Sequence, residues 1–188
     1  VRRGILGGTF DPPHIAHLIG GEAAYHELGL DVVTFIPAGA PWQKAGRNVS
    51  TADDRWQMVV LATGGTDYFE ADNREVRRQG WTYTIDTLES FDADDEVTLI
   101  LGADAALGLP TWERSEQVLR RASVAVIPRP GVDRDSLDGV LDSYQWLDVP
   151  ELEISGTLLR DRVRSGRSIR FYVPDLVFDY VMHNGLYA

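Results

Sequence analysis

Apolar positions fall into two patterns along the chain. Short runs at 4–6, 32–36, 68–70, 97–101, 124–127 and 146–149 are bounded by polar or glycine-rich stretches, and their length predicts buried strands. The segments 15–28, 53–62, 85–91, 115–121 and 136–141 follow a helical period instead. Strand and helix therefore alternate, which predicts an α/β fold built on a doubly wound parallel sheet. In such sheets ligands bind beyond the C-terminal ends of the strands, so the turns there carry the first candidates for function.

Two regions break the alternation. The stretch 37–50 is too long for an ordinary connector, and reads either as a substrate loop or as a surface loop. Beyond Pro150, Ile154-Ser155-Gly156-Thr157 precedes a basic helix, and a last apolar helix over 175–182 is expected to pack against the sheet edge. A chain of 188 residues fits one domain, 1–188, with a small helical extension over about 155–188.

Charge narrows the partners. A formal net charge of −11 opposes broad attraction to nucleic acid or an anionic membrane, and no apolar run reaches membrane-spanning length. The opening Val1-Arg2-Arg3 loses the pattern of a signal peptide at Gly7-Gly8, and the lack of cysteine removes disulfides, thiolate metal sites and cysteine nucleophiles. A cytoplasmic location is expected, and a homo-oligomer is compatible with the sequence. An acidic protein that binds a small phosphorylated ligand must supply local donors from helix N-termini and a few placed cations.

The first strand runs into Gly7-Gly8-Thr9-Phe10-Asp11-Pro12-Pro13-His14-Ile15-Ala16-His17. The glycines let backbone approach a ligand, and first-turn N–H groups of the following helix favour an anion. No G-x-G-x-x-G or G-x-x-x-x-G-K-[ST] spacing occurs, so hydride transfer and P-loop chemistry lose support. His14 and His17 lie one helical turn apart and can reach one phosphate. Alone, such a spacing more often marks two unrelated surface histidines or half a metal site; after a strand and a Gly-Gly turn it points to nucleotide chemistry.

The second candidate is the segment around Ser155 or Thr157, either of which can cap a helix whose N-terminus faces a triphosphate. Between 151 and 170 five arginines stand against three acids, and of these Arg160 is assigned to phosphate, the rest to a solvated face. Asp104, just past a strand end, suits ribose hydroxyls or a helix cap. Trp112 suits stacking on a flat ring or core packing. Lys44 in the long loop reads as a cation over bound phosphates or as a surface charge, and Arg55 by itself as a surface charge.

The first segment resembles the nucleotidyltransferase signature of bacterial nicotinate mononucleotide adenylyltransferases. Residues 154–160 resemble the family's second signature, and Leu101-Gly102-Ala103-Asp104 with Trp112 resembles its substrate-side segment. The resemblance spans nearly the whole chain and implies a Rossmann-like fold. Two departures stand out. Ala16 replaces a usual glycine and is expected to crowd the ATP site slightly; Gly156 replaces a usual serine and removes a possible phosphate hydroxyl.

The resemblance implies transfer of the adenylyl group of ATP to nicotinate mononucleotide, without a covalent enzyme intermediate. His14, His17, Lys44 and Arg160 would stabilise developing charge, with magnesium held mainly by ATP phosphates and water. ATP would be bound by Gly7, Gly8, Thr9, Phe10, Gly102, Asp104, Ser155 and Thr157 in addition to the two histidines and Arg160. The mononucleotide would meet Thr9, Lys44, Arg55, Asp104 and Trp112, with Tyr83 and Thr84 opening a helix whose amides recognise the nicotinate carboxylate. Pantetheine-phosphate adenylyltransferase is the nearest rival and lacks a ring to stack on Trp112. A nucleotide-binding regulatory domain would not need both histidines and Arg160, and a class I aminoacyl-tRNA synthetase fragment would be longer and less acidic.

Overall fold

The computed structural model describes residues 1–39 and 49–188. Its strands are β1 (Arg2–Gly8), β2 (Val32–Pro37), β3 (Phe69–Ala71), β4 (Glu96–Gly102), β5 (Ala122–Ile127) and β6 (Gln145–Trp146). They form one sheet in the order β3-β2-β1-β4-β5-β6, with every neighbouring pair parallel. The winding reverses between β1 and β4, and this switch point opens the crevice where such sheets bind ligands. The helices among the described residues are α1 (Ile15–Leu28), α2 (Ala52–Thr63), α3 (Arg74–Arg77), α4 (Thr84–Glu89), α5 (Ala103–Gly108), α6 (Ser115–Arg121), α7 (Arg134–Asp138), α8 (Gly156–Arg164) and α9 (Asp175–His183).

Alternation along the strands divides the core. Ile5, Ile36, Leu99 and Val126 join one cluster, with Ile85 and Leu88 of α4 and Val118 of α6; Leu6, Phe35, Ile100 and Ile127 join another, with Ala24 of α1 and Val59 of α2. Strands buried on both faces explain why the sequence shows continuous apolar runs. Helix α1 lies close to the sheet because Gly20 lacks a side chain: a Cβ there would sit 2.2 Å from Cδ1 of Ile127. It ends at Gly29, left-handed at φ 59, whose N–H donates to the Tyr25 carbonyl.

The C-terminal part departs from expectation. Helix α9 packs against α2 rather than against the sheet edge, through a separate cluster of Met58, Leu159, Ile169, Val173, Val177 and Val181. Met58 and the half-buried Leu61 and Ala62 give α2 a second apolar face, and that face attracts the extension. Helices α3 and α5, of four and six residues, were not expected from the sequence.

Candidate active site

Two hollows open beyond the C-terminal strand ends. A cleft of about 500 Å³ is walled by the β1–α1 turn, Arg129 and the start of α8; a cavity of about 340 Å³ lies between the tips of β1 and β4, α4 and Trp112. Thr9, His17, Asp104 and Arg129 line both and form their common wall. A larger hollow of about 830 Å³ lies at the opposite, N-terminal end of the sheet, beside Glu96, Ala122 and Gln145. There Arg121 is engaged by the Asp92 and Asp95 carbonyls, and no expected site residue reaches that end.

His14 caps α1 in extended backbone, and its N–H donates to Nδ1 of His17 at 3.1 Å. With Nδ1 accepting that bond, a neutral His17 ring carries its proton on Nε2. The two imidazoles stack with centroids 3.7 Å apart, and Phe10 meets His17 edge-on at 4.9 Å. Phe10 has φ 50 and is buried, so it lines the cleft chiefly as backing for His17. Burial, and secondarily the positive charge of Arg129, lower the pKa of His14 to about 3, so at neutral pH it is an uncharged donor. The expectation that first-turn amides of α1 serve the ligand fails for two of them. Ile15 N–H donates to the Tyr172 carbonyl, because the segment before α9 crosses the helix start, and His17 N–H donates to the His14 carbonyl within the same turn.

At α8 the cap is Ser155, whose Oγ accepts from Leu158 N–H at 3.2 Å, while Thr157 lies inside the helix and bonds Arg160. Arg160 Nη1 donates to the Asp11 carbonyl at 2.8 Å, which ties the second signature to the first. Among the described residues two buried side-chain polar atoms lack a hydrogen-bond partner, His14 Nδ1 and Arg160 Nε. Both belong to residues of the same cleft. Orphaned buried groups carry a desolvation cost that a bound anion or hydroxyl can relieve.

In the smaller cavity, Tyr83 and Thr84 stand at the start of α4, opposite Trp112, which also packs against the core. Asp104 sits in the first turn of α5, whose cap is Gly102, so the cap reading of Asp104 is set aside. Gly7, Gly8 and Gly102 line this cavity and not the larger cleft, since they end the strands at the middle of the crevice. Glu75, absent from the sequence reading, also faces the cavity; it accepts from the Thr87 hydroxyl at 2.6 Å, and burial pushes its carboxyl pKa up.

Other expectations need correction. Arg55 lines neither hollow: it is 2% exposed and donates to the carbonyls of Thr9, Ala38, Gly39 and Ser50, holding the turn in place. Ala16 is buried and lines neither hollow, so it does not crowd the site. At Gly156 a Cβ would lie 2.8 Å from the Asp11 carbonyl oxygen, so the glycine permits contact between α8 and the first turn. Lys44 lies outside the described residues. Arg129 was missed; its one sequence signal is a cation just after β5, where the crevice rule applies.

A family model described as cytidylyltransferase-like matches residues 5–162. A relative from Dehalococcoides mccartyi, called probable nicotinate-nucleotide adenylyltransferase, is 39% identical, covering 100% of this chain and 97% of its own. One of the same description from Acidothermus cellulolyticus is 38% identical over 99% and 94%. Among solved structures, the Plasmodium falciparum nicotinic acid mononucleotide adenylyltransferase complexed with NaAD superimposes with a TM-score of 0.82 over 99% of this chain and 97% of that one. At 17% identity that likeness speaks for the fold. Full-length similarity to the curated relatives, on a fold whose crevice gathers both signature segments, shows that the chain belongs to the nicotinate-nucleotide adenylyltransferases, nucleotidyltransferase enzymes of the cytidylyltransferase-like family.

Proposed function

We propose that the chain joins the 5′-phosphate of nicotinate mononucleotide to the adenylyl group of ATP, releasing pyrophosphate, as a cytoplasmic step of NAD biosynthesis. ATP occupies the larger cleft and the mononucleotide the smaller cavity. The observation that carries this reading is the shared wall: Thr9, His17, Asp104 and Arg129 border both hollows, so phosphates from either side meet there.

The reaction is an in-line displacement. A phosphate oxygen of the mononucleotide bonds to the α-phosphorus of ATP while the bond to the β-phosphate oxygen breaks, and pyrophosphate leaves with that electron pair. His17 donates from Nε2 to phosphoryl oxygens, His14 contributes an uncharged N–H, and Arg160 and Arg129 supply positive charge where it accumulates on leaving. Lys44 is assigned a phosphate role by resemblance alone. Asp104 accepts from ribose hydroxyls, and Trp112 stacks on the pyridine ring. Among the described residues no group of three or more His, Asp or Glu side chains could hold a metal. The resemblance implies a magnesium ion held mainly by the ATP phosphates and water, where it would neutralise phosphate charge.

The test is pyrophosphate release with ATP, magnesium and a panel of acceptors, namely nicotinate and nicotinamide mononucleotides, 4′-phosphopantetheine and glycerol phosphate. Turnover is expected with the pyridine nucleotides, and His17→Ala should lower kcat at least about a hundredfold with ATP binding little changed. Turnover confined to phosphopantetheine would overturn the reading.

A further inference from the structure

Beyond α9 the chain turns through left-handed conformations at Gly185 (φ 60) and Tyr187 (φ 69). This brings the Tyr187 phenol against α2, its oxygen 3.8 Å from Met58 Sδ, and it donates to Asp11 Oδ1 at 2.7 Å. The transfer chemistry makes no use of this phenol. Its partner, however, is the aspartate of the first signature, which is 3% exposed.

Asp11 is held from several sides. Oδ2 accepts from Ser50 N–H at 3.2 Å, and the backbone carbonyl accepts from Arg160 Nη1 at 2.8 Å. The carboxylate Oδ2 lies 3.9 Å from that same Nη1, too far for a hydrogen bond. Arg160 Nη2 is bound to Thr157 at 3.1 Å, and Nε is buried without a partner. The guanidinium thus stands between two anions that could claim it, the Asp11 carboxylate and a bound phosphate. A buried carboxylate deprived of a donor turns to the nearest cation, because an unpaired charge costs more than a small rotation.

We propose that Tyr187 is a positioning residue for adenylyl transfer: its hydroxyl satisfies Asp11, so that carboxylate does not capture Arg160 and Arg160 remains available to the nucleotide phosphates. This rests on the larger cleft being the ATP site. Burial and the neighbouring Asp11 charge push the phenol pKa up, so Tyr187 stays a donor throughout the working pH range. The same extension contains a matched control. Tyr180 donates to Asp54 Oδ1 at 2.9 Å, also joining α9 to α2, but Asp54 otherwise bonds Thr51 at the start of α2.

Steady-state kinetics and thermal unfolding of Tyr187→Phe and Tyr180→Phe test the assignment. The first should lower kcat by roughly tenfold to a hundredfold and raise KM for ATP several-fold, with KM for the mononucleotide within about twofold. Tyr180→Phe should retain wild-type kinetics while losing a similar few degrees of Tm. In an Arg160→Ala background Tyr187→Phe should cost nothing further, and adding Asp11→Asn to Tyr187→Phe should recover activity, since a neutral amide does not compete for Arg160. Equal losses from the two tyrosine variants, undiminished loss without Arg160, or no recovery with Asp11→Asn would overturn the proposal. Wild-type turnover is measured first: its absence sinks the substrate reading, whereas normal wild-type turnover beside an unimpaired Tyr187→Phe sinks this proposal alone.

Discussion

Acidification should destabilise the ligand-free enzyme through His14. Its imidazole is 2% exposed, and its pKa falls from 6.5 to about 3. In the unfolded chain the ring takes up a proton as pH drops through its ordinary value, while the folded ring stays neutral. The unfolded state therefore binds the extra proton between about pH 6.5 and 3, and stability is lost as pH falls through that window. From pH 7 to pH 5 the linkage relation gives a loss of about 2 kcal/mol, rising toward roughly 5 kcal/mol if the whole shift were traversed. Urea unfolding of wild type and His14→Gln at both pH values isolates the contribution, since glutamine does not titrate. The variant should lose about 2 kcal/mol less than wild type over this interval. Equal losses would refute both the buried neutral imidazole and its assignment as an uncharged phosphate donor.

Trp112→Ala should raise KM for the mononucleotide with a smaller effect on kcat, because ring stacking is present before and during the reaction; an unchanged KM would return Trp112 to the core. Nicotinate should be preferred over nicotinamide mononucleotide by at least about tenfold in kcat/KM, because the first amides of α4 face an acceptor in the carboxylate and a donor in the carboxamide. Parallel kinetics with both substrates check this. Glu75→Gln should widen that preference, since it removes a carboxyl group from the same cavity; a narrowed preference in the same assay would exclude the charge effect. Gly156→Ser should not gain a useful phosphate hydroxyl. The added Cβ meets the Asp11 carbonyl at 2.8 Å and Arg160 Nη1 at 3.0 Å, so lower kcat and a loss of about 1–3 kcal/mol in stability are expected from kinetics and unfolding.

The bounds of α1, the strand positions within a few residues, and the sheet's parallel character were legible in the sequence because periodicity and run length are local properties. His14, His17, Ser155 and Arg160 are candidates from sequence because each belongs to a short segment whose own turn or helix start points to phosphate chemistry, and the fold brings the four to one cleft. Periodicity tells which residues are buried and leaves open what they are buried against. Hence α9 was placed on the sheet edge, although the second apolar face of α2 claims it. Arg55 and Arg129 exchanged importance for the same reason. A cation on a helix finds four carbonyls in the folded chain and lines neither hollow, while one after β5 arrives at the seam between them. The link from Tyr187 to Asp11 crosses 176 positions, and only chain closure through α2 and α9 brings the two within 2.7 Å. Local sequence determined which chemical groups this protein has at its strand ends. Tertiary packing decided which remain available, because a buried donor or acceptor must be satisfied and the fold determines by whom.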